Sequence, residues 1–305
     1  MTTTKFKGLI AAPISPMKKN GEIDLARIRD LVNLYHKNEV KGAFICGTTG
    51  EGSSLNIEEI KAYAEEWKRV GEGLIKILCV GGDNVQEMQE LAAYAGEIEL
   101  DGISMLSPYY FKPKSEEDLL ELCKEVSVAA QSVPFYYYHI PTLSGGYFSM
   151  RKFLGLAKDA LPDLKGIKFT YNDLYDFFRC RAFENGKYDM FWGTDEVLLS
   201  ALVAGANGAV GSTYNYAAPL YNQIIKEFEE GNLEEARMLQ DKAVKMVELL
   251  IEFGGTGATK AFMKIIGLDC GEYRMPVSNP GLHEIKELES KLKNIGFFDF
   301  CSTTV

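Results

Sequence analysis

Eight short apolar segments, separated by stretches with the spacing of amphipathic helices, restrict more than any other feature how this chain can fold. Rich in Ile, Val, Phe and small residues, they read GLIAAP (8–13), GAFIC (42–46), IKILCV (75–80), GISML (102–106), PFYYYHI (134–140), GIKF (166–169), DMFW (189–192) and GAVGS (208–212). Each has the length of a buried strand, and each interval leaves room for one helix. IDLARIRDLVNLYHKN repeats apolar residues at helical spacing with Asp24 near its start. SEEDLLELCKEVSVAAQ opens on Ser115 and acidic residues, which suit a helix N-terminus. Strand and helix in alternation predict a parallel sheet. Six such units would suggest an open sheet; eight predict closure into an α/β fold of the (β/α)8 TIM-barrel class, and 305 residues suffice for one such domain.

From about residue 218 the pattern is helical throughout, in PLYNQIIKEFEEG, NLEEARMLQDKAVKMVELLIEF, GATKAFMKIIGL and HEIKELESKLKNIG. The first of these is expected to close the barrel and the others to form a C-terminal helical extension. No linker separates them. Residues 1–220 are therefore read as the barrel carrying the active site, and 221–305 as its last helix and a helical layer in the same structural domain.

Several function classes are disfavoured. A formal net charge of −10 argues against a nucleic-acid binder, which would present a basic face. No apolar run approaches the roughly 20 residues of a membrane span. The start, MTTTKFKG, passes straight into LIAAPISP and is too short and broken for a signal peptide. Cys46, Cys79, Cys123, Cys180, Cys270 and Cys301 form no C-x-x-C pair and read as reduced thiols of a cytoplasmic protein. His36, His139 and His283 lie far apart, so a catalytic metal site is not expected.

Within the rhythm, LKGIKFT turns Gly166, Lys168 and Thr170 to one face and Ile167 and Phe169 to the other. A lysine facing a barrel interior near the C-terminal end of its strand stands where catalytic groups gather in this fold. Drawn out of water it loses charge readily and becomes a nucleophile toward carbonyls. By itself the pattern more readily fits a lysine paired with a carboxylate or reaching solvent. PFYYYHIP places Tyr136 and Tyr138 on one face, and Tyr138, last before the loop, is the better candidate for proton transfer, although such tyrosines commonly only pack. The turn GTTGEG (47–52) offers two hydroxyls and several backbone N–H groups, a concave set of donors that suits a carboxylate. Its spacing is not that of a P-loop or a dinucleotide fingerprint.

Taken together, GTTGE (47–51), Tyr138 in YHIP, Lys168 in GIKFT and GSTYN (211–215) resemble the N-acetylneuraminate lyase and dihydrodipicolinate synthase family, barrel aldolases that use pyruvate. The pieces fall in the family's order and spacing, the similarity runs through at least residues 7–220, and the helical tail fits. The resemblance implies that Lys168 forms an imine with the substrate's keto carbon, with no cofactor. It implies that Thr48 and Thr49 hold the pyruvate-end carboxylate and that Tyr138 transfers the proton of the hydroxyl next to the breaking bond. In SPYYFKP, Tyr109–Tyr110 matches a position from which one tyrosine, taken as Tyr110, is lent to a neighbouring subunit's active site, implying a homotetramer of two tight dimers.

The resemblance also distinguishes sides of the family. The synthase pattern carries an arginine two residues after the proline of its YNVP-like motif, where this chain has Leu143, flanked by Thr142 and Ser144. Without that fork a second carboxylate is poorly bound. WGTDE (192–196) resembles the lyase segment in which a glycine carbonyl, here Gly193, and two carboxylates, here Asp195 and Glu196, grip a polyol. The acidic pair reads equally as a helix N-terminus. Thr170 and Ser212 are further sugar-contact candidates, whereas Thr256 in EFGGTGATK replaces an aromatic residue of some lyases and is left out of the site. The HIPTLSGG loop fits vertebrate-type lyases better than the commonest bacterial pattern.

The implied activity is reversible cleavage of N-acetylneuraminate, a sialic acid, to N-acetylmannosamine and pyruvate. The rivals are dihydrodipicolinate synthase, another 2-keto-3-deoxy sugar acid aldolase, a non-catalytic keto-acid or sugar sensor, and a metal-dependent aldolase.

Overall fold

The structure, a computed structural model, describes residues 6–304. Residues 1–5, most of the MTTTKFKG start, and Val305 lie outside the described residues. The eight expected strands form as β1 (Gly8–Ala11), β2 (Gly42–Ile45), β3 (Ile75–Cys79), β4 (Gly102–Leu106), β5 (Phe135–His139), β6 (Leu164–Phe169), β7 (Asp189–Trp192) and β8 (Gly208–Gly211). They pair in sequence order, all parallel, and β8 pairs back onto β1 to close the barrel.

The strands read as continuous apolar runs because both faces are buried. One set of alternate side chains, including Ile10, Phe44, Ile77, Tyr136, Tyr138, Phe191 and Val210, fills the barrel interior. The other set, including Leu9, Ile45, Ile103, Tyr137, Ile167 and Phe169, packs against the helices. These are α1 (Ile28–Lys37), α2 (Ile57–Val70), α3 (Val85–Glu97), α4 (Glu116–Ala129), the single turn α5 (Pro141–Ser144), α6 (Met150–Ala160), α7 (Leu174–Ala182), α8 (Leu198–Val203) and α9 (Tyr214–Glu229).

Local chemistry sets the helix ends. Ser115 caps α4, its hydroxyl accepting from Asp118 N at 3.1 Å. Asn56 and Glu59 form a reciprocal capping box at the start of α2. Asp24 makes no such bond: a 3-10 turn, Leu25–Arg27, follows it and α1 begins only at Ile28. The final barrel helix starts before the expected residue 218, at Tyr214, and bends at Ala217 ahead of Pro219, whose ring and missing N–H cannot continue a straight ladder. The 220/221 division therefore falls inside α9. Beyond it, α10 (Leu233–Glu252), α11 (Thr259–Ile265) and α12 (Leu282–Asn294) form the C-terminal layer. Their buried Met246, Phe262 and Leu288 belong to the same apolar cluster as the barrel's helix shell.

Close approach between β6 and β7 requires glycine at 166, where a Cβ would lie 2.1 Å from the Asp189 carbonyl oxygen. Gly166→Ala is expected to destabilise the fold by about 1–3 kcal/mol, read as a lowered urea midpoint. An unchanged midpoint would mean that the two strands separate at no cost.

Candidate active site

Strand register brings the reactive groups together. Tyr138 on β5 pairs directly with Lys168 on β6, so the two inward side chains are lateral neighbours. Lys168 is only 3% exposed, and its Nζ lies 3.9 Å from the centroid of the Tyr138 ring and 4.0 Å from that of Phe44. Burial pushes its pKa from 10.5 down to about 7, with Cys79 and Asp195 acting weakly in the opposite sense. About half of the amine is thus free base at neutral pH, against almost none for a solvated lysine.

The Tyr138 hydroxyl lies 3.3 Å from Thr48 Oγ1. Burial raises the phenol above its ordinary range, and the hydroxyls of Thr48 and Thr170 draw it partly back. Thr48 is exposed and Thr49 buried in the turn after β2. Among the described residues, no group accepts a hydrogen bond from the N–H of Thr48, Thr49 or Gly50. Beside this turn opens a cavity of about 380 Å³ lined by Thr48, Cys46, Cys79, Tyr109, Leu143 and Pro276, among others.

The ends of β6, β7 and β8 supply a second group of residues. Thr170 follows β6, and its buried Oγ1 faces the Tyr138 hydroxyl. Gly193 packs against it so closely that a Cβ there would meet Oγ1 at 1.9 Å. Asp195 is 4% exposed. Its Oδ2 accepts from Thr213 N at 3.0 Å and Thr213 Oγ1 at 2.7 Å, while Oδ1 occupies the space that a side chain at Gly211 would need. Burial raises the carboxyl pKa, and the Thr213 donors oppose that rise. Glu196 is half-buried with its pKa also raised by burial. Ser212 is half-buried, its carbonyl accepting from Asn215 Nδ2 at 2.7 Å.

Lys168, Tyr138, Thr48 and Thr170 therefore converge, with Asp195 near enough to influence the amine. Tyr110 does not join them within one chain: it is 76% exposed, on a loop held by Asp83 Oδ1, which accepts from Tyr110 N at 3.1 Å. Leu143, 63% exposed, stands at the cavity mouth, and Thr256 is exposed in the 3-10 turn Gly255–Ala258. The motifs did not single out Phe44, under the amine, or Thr213, which holds Asp195. Phe44 could have been found from the inward phase of GAFIC, and Thr213 stood unremarked within GSTYN. All six cysteines are free. Among the described residues, no three His, Cys, Asp or Glu side chains are grouped so as to hold a metal ion.

Comparison with known proteins agrees with this geometry. Residues 5–295 match the dihydrodipicolinate synthetase family. The N-acetylneuraminate lyase of Rattus norvegicus is 40% identical over 302 residues, covering 97% of this chain and 94% of the relative. That of Homo sapiens is 39% identical with the same coverage. The solved N-acetylneuraminate lyase of Proteus mirabilis superposes with a TM-score of 0.94 at 37% identity, covering 96% of this chain and all of that one. The chain, with its lysine at the end of the sixth strand of a closed parallel barrel, belongs to the dihydrodipicolinate synthetase family.

Proposed function

We propose that this protein is a Schiff-base aldolase that reversibly cleaves N-acetylneuraminate to N-acetylmannosamine and pyruvate. The observation that carries the reading is Lys168: an amine whose pKa burial brings to about 7, beside a phenol hydrogen-bonded to the carboxylate-cradling turn. Near-full-length similarity to lyases of that name supports the substrate. Leu143 at the cavity mouth supports it over a dicarboxylate, since it offers no guanidinium to a second carboxyl group.

In this reading the neutral Lys168 amine adds to the C2 ketone of the open-chain sugar acid, and loss of water leaves a protonated imine. The faces of Phe44 and Tyr138 favour that cation. The imine draws electrons from the C3–C4 bond as Tyr138 takes the C4 hydroxyl proton and passes its own phenol proton to the substrate carboxylate, from which a proton later returns to C3. N-acetylmannosamine leaves as the aldehyde, and the remaining enamine is reprotonated at C3 and hydrolysed to pyruvate and free Lys168. The phenol is protonated at rest because it is buried; positive charge on the adjacent nitrogen favours its ionisation when the proton must move.

Thr48, Thr49 and the free N–H groups of their turn bind the substrate carboxylate. Thr170, the Gly193 carbonyl, Glu196 and Ser212 serve the polyol, and Asp195 contributes Oδ1, since Oδ2 is held by Thr213. No cofactor enters the scheme. The active form is proposed to be a cytoplasmic homotetramer in which Tyr110 reaches a neighbouring subunit's site. Its exposure on the loop after β4, and the unpaired state of all six cysteines, are the observations behind that proposal.

Incubation with N-acetylneuraminate should release pyruvate, followed by a coupled NADH assay, and Lys168→Ala should abolish the release. Folded wild-type protein that releases none would sink the substrate assignment. Tyr138→Phe should lower kcat by about 10²–10⁴-fold while borohydride still traps pyruvate on Lys168. Loss of trapping as well would place Tyr138 in imine formation instead. Because burial depresses the amine pKa, the neutral nucleophile accumulates as pH rises through about 7, so the initial rate of trapping should climb to that pH and then level off. A rate still climbing toward the ordinary lysine value of 10.5 would show the amine to be solvated.

A further inference from the structure

The turn that cradles the carboxylate is not self-supporting. Cys46 and Glu51, at its two ends, adopt left-handed backbone conformations with φ of 56° and 48°, which cost energy in residues other than glycine. What holds Glu51 and the Thr49 carbonyl between them lies more than 200 positions away in the sequence, in α11 and the segment after it. Lys260 Nζ donates to Glu51 Oε1 at 2.7 Å, and Arg274 N donates to Glu51 Oε2 at 2.9 Å. Both members of the Glu51–Lys260 pair are 2% exposed, so the carboxylate of the GTTGE motif is consumed by the C-terminal layer and is not offered to a substrate. Tyr273 Oη donates to the Thr49 carbonyl at 3.0 Å. Arg274 Nη1 donates to the Ser54 carbonyl at 3.0 Å and, with Nη2, grips the carboxylate of Glu59 in α2.

The contact at Thr49 has a directional consequence. In a trans peptide the C=O and the following N–H point opposite ways. Fixing the Thr49 carbonyl toward Tyr273 therefore fixes the Gly50 N–H away from it. That N–H is one of the three in the turn with no acceptor among the described residues. Ser15 Oγ adds a bond to the next carbonyl, that of Gly50, at 2.6 Å. The turn's donors are aimed by what its carbonyls and its one carboxylate are tied to.

We infer that Tyr273, with Lys260 and Arg274, is a positioning residue for the substrate carboxylate: the C-terminal layer exists in part to aim the Thr48–Gly50 donors. This rests on the reading that the turn binds the pyruvate-end carboxylate. Lys260→Met would leave a buried carboxylate without its cation and is the variant most prone to misfold. Tyr273→Phe removes the hydroxyl that meets the Thr49 carbonyl and the Thr259 side chain, with little change in volume, and is the variant to test.

In the condensation direction, Tyr273→Phe should raise the KM for pyruvate, and the pyruvate concentration for half-maximal borohydride trapping, by roughly fivefold. It should leave kcat within about twofold and the KM for N-acetylmannosamine unchanged, while the amides of residues 48–52 exchange hydrogen faster than in wild type. Wild-type trapping with an unchanged half-saturation in the variant overturns the positioning role alone. Equal losses in kcat and trapping amplitude overturn it too, since they mark a general structural defect. Failure of wild type to trap pyruvate at all overturns the role together with the reading on which it rests.

Discussion

Closing eight strands on themselves removes water from the barrel axis, and the removal of water from one amine governs the chemistry around it. A lysine at the same strand position with its ammonium in solvent would be a spectator at neutral pH. Here the aromatic faces of Phe44 and Tyr138 surround it, and neither supplies a counter-charge. Asp195, the carboxylate that acts on the amine, is itself buried and already bonded to Thr213. Its effect on the amine is therefore secondary to desolvation. The site keeps the lysine reactive by withholding an ion pair from it.

The barrel's rim carries two kinds of local structure. After β2, a turn with backbone donors and hydroxyls is braced from outside the barrel. After β7 and at the end of β8, the chain depends on glycine at 193 and 211, where Thr170 and Asp195 fill the space a side chain would take. Asp195 links the loops after β7 and β8 through the two Thr213 donors on Oδ2. WGTDE does run into a short helical turn, Asp195–Val197, but Asp195 spends Oδ2 on Thr213 rather than on capping that turn.

Much of this arrangement is legible in the amino-acid sequence. The strand–helix rhythm gives the barrel, because strands buried on both faces must be apolar along their length, and the phase of LKGIKFT and PFYYYHIP gives the inward direction of Lys168 and Tyr138. Their adjacency is legible only through family resemblance, since register between strands leaves no trace in either segment alone. The Asp24 cap fails because a 3-10 turn intervenes before α1, a choice that local composition does not decide. The bracing of GTTGE is invisible for a different reason: its partners Lys260, Tyr273 and Arg274 are single polar residues in a tail whose periodicity reports only helix, and nothing local marks them as ligands of a distant turn. Tyr110 is the opposite case, conspicuous in sequence and placed away from the lysine within one chain.

The pairing of β1 with β8 has a consequence for how the enzyme comes into being. β1 leaves the ribosome early, but one of its edges stays open until residues 208–211 have been made. Until that seam closes, the environment that lowers the amine pKa does not exist, and Lys168 in the growing chain is an ordinary hydrated cation. Reactivity arrives with closure of the last strand pair, when the chain has the geometry to direct it.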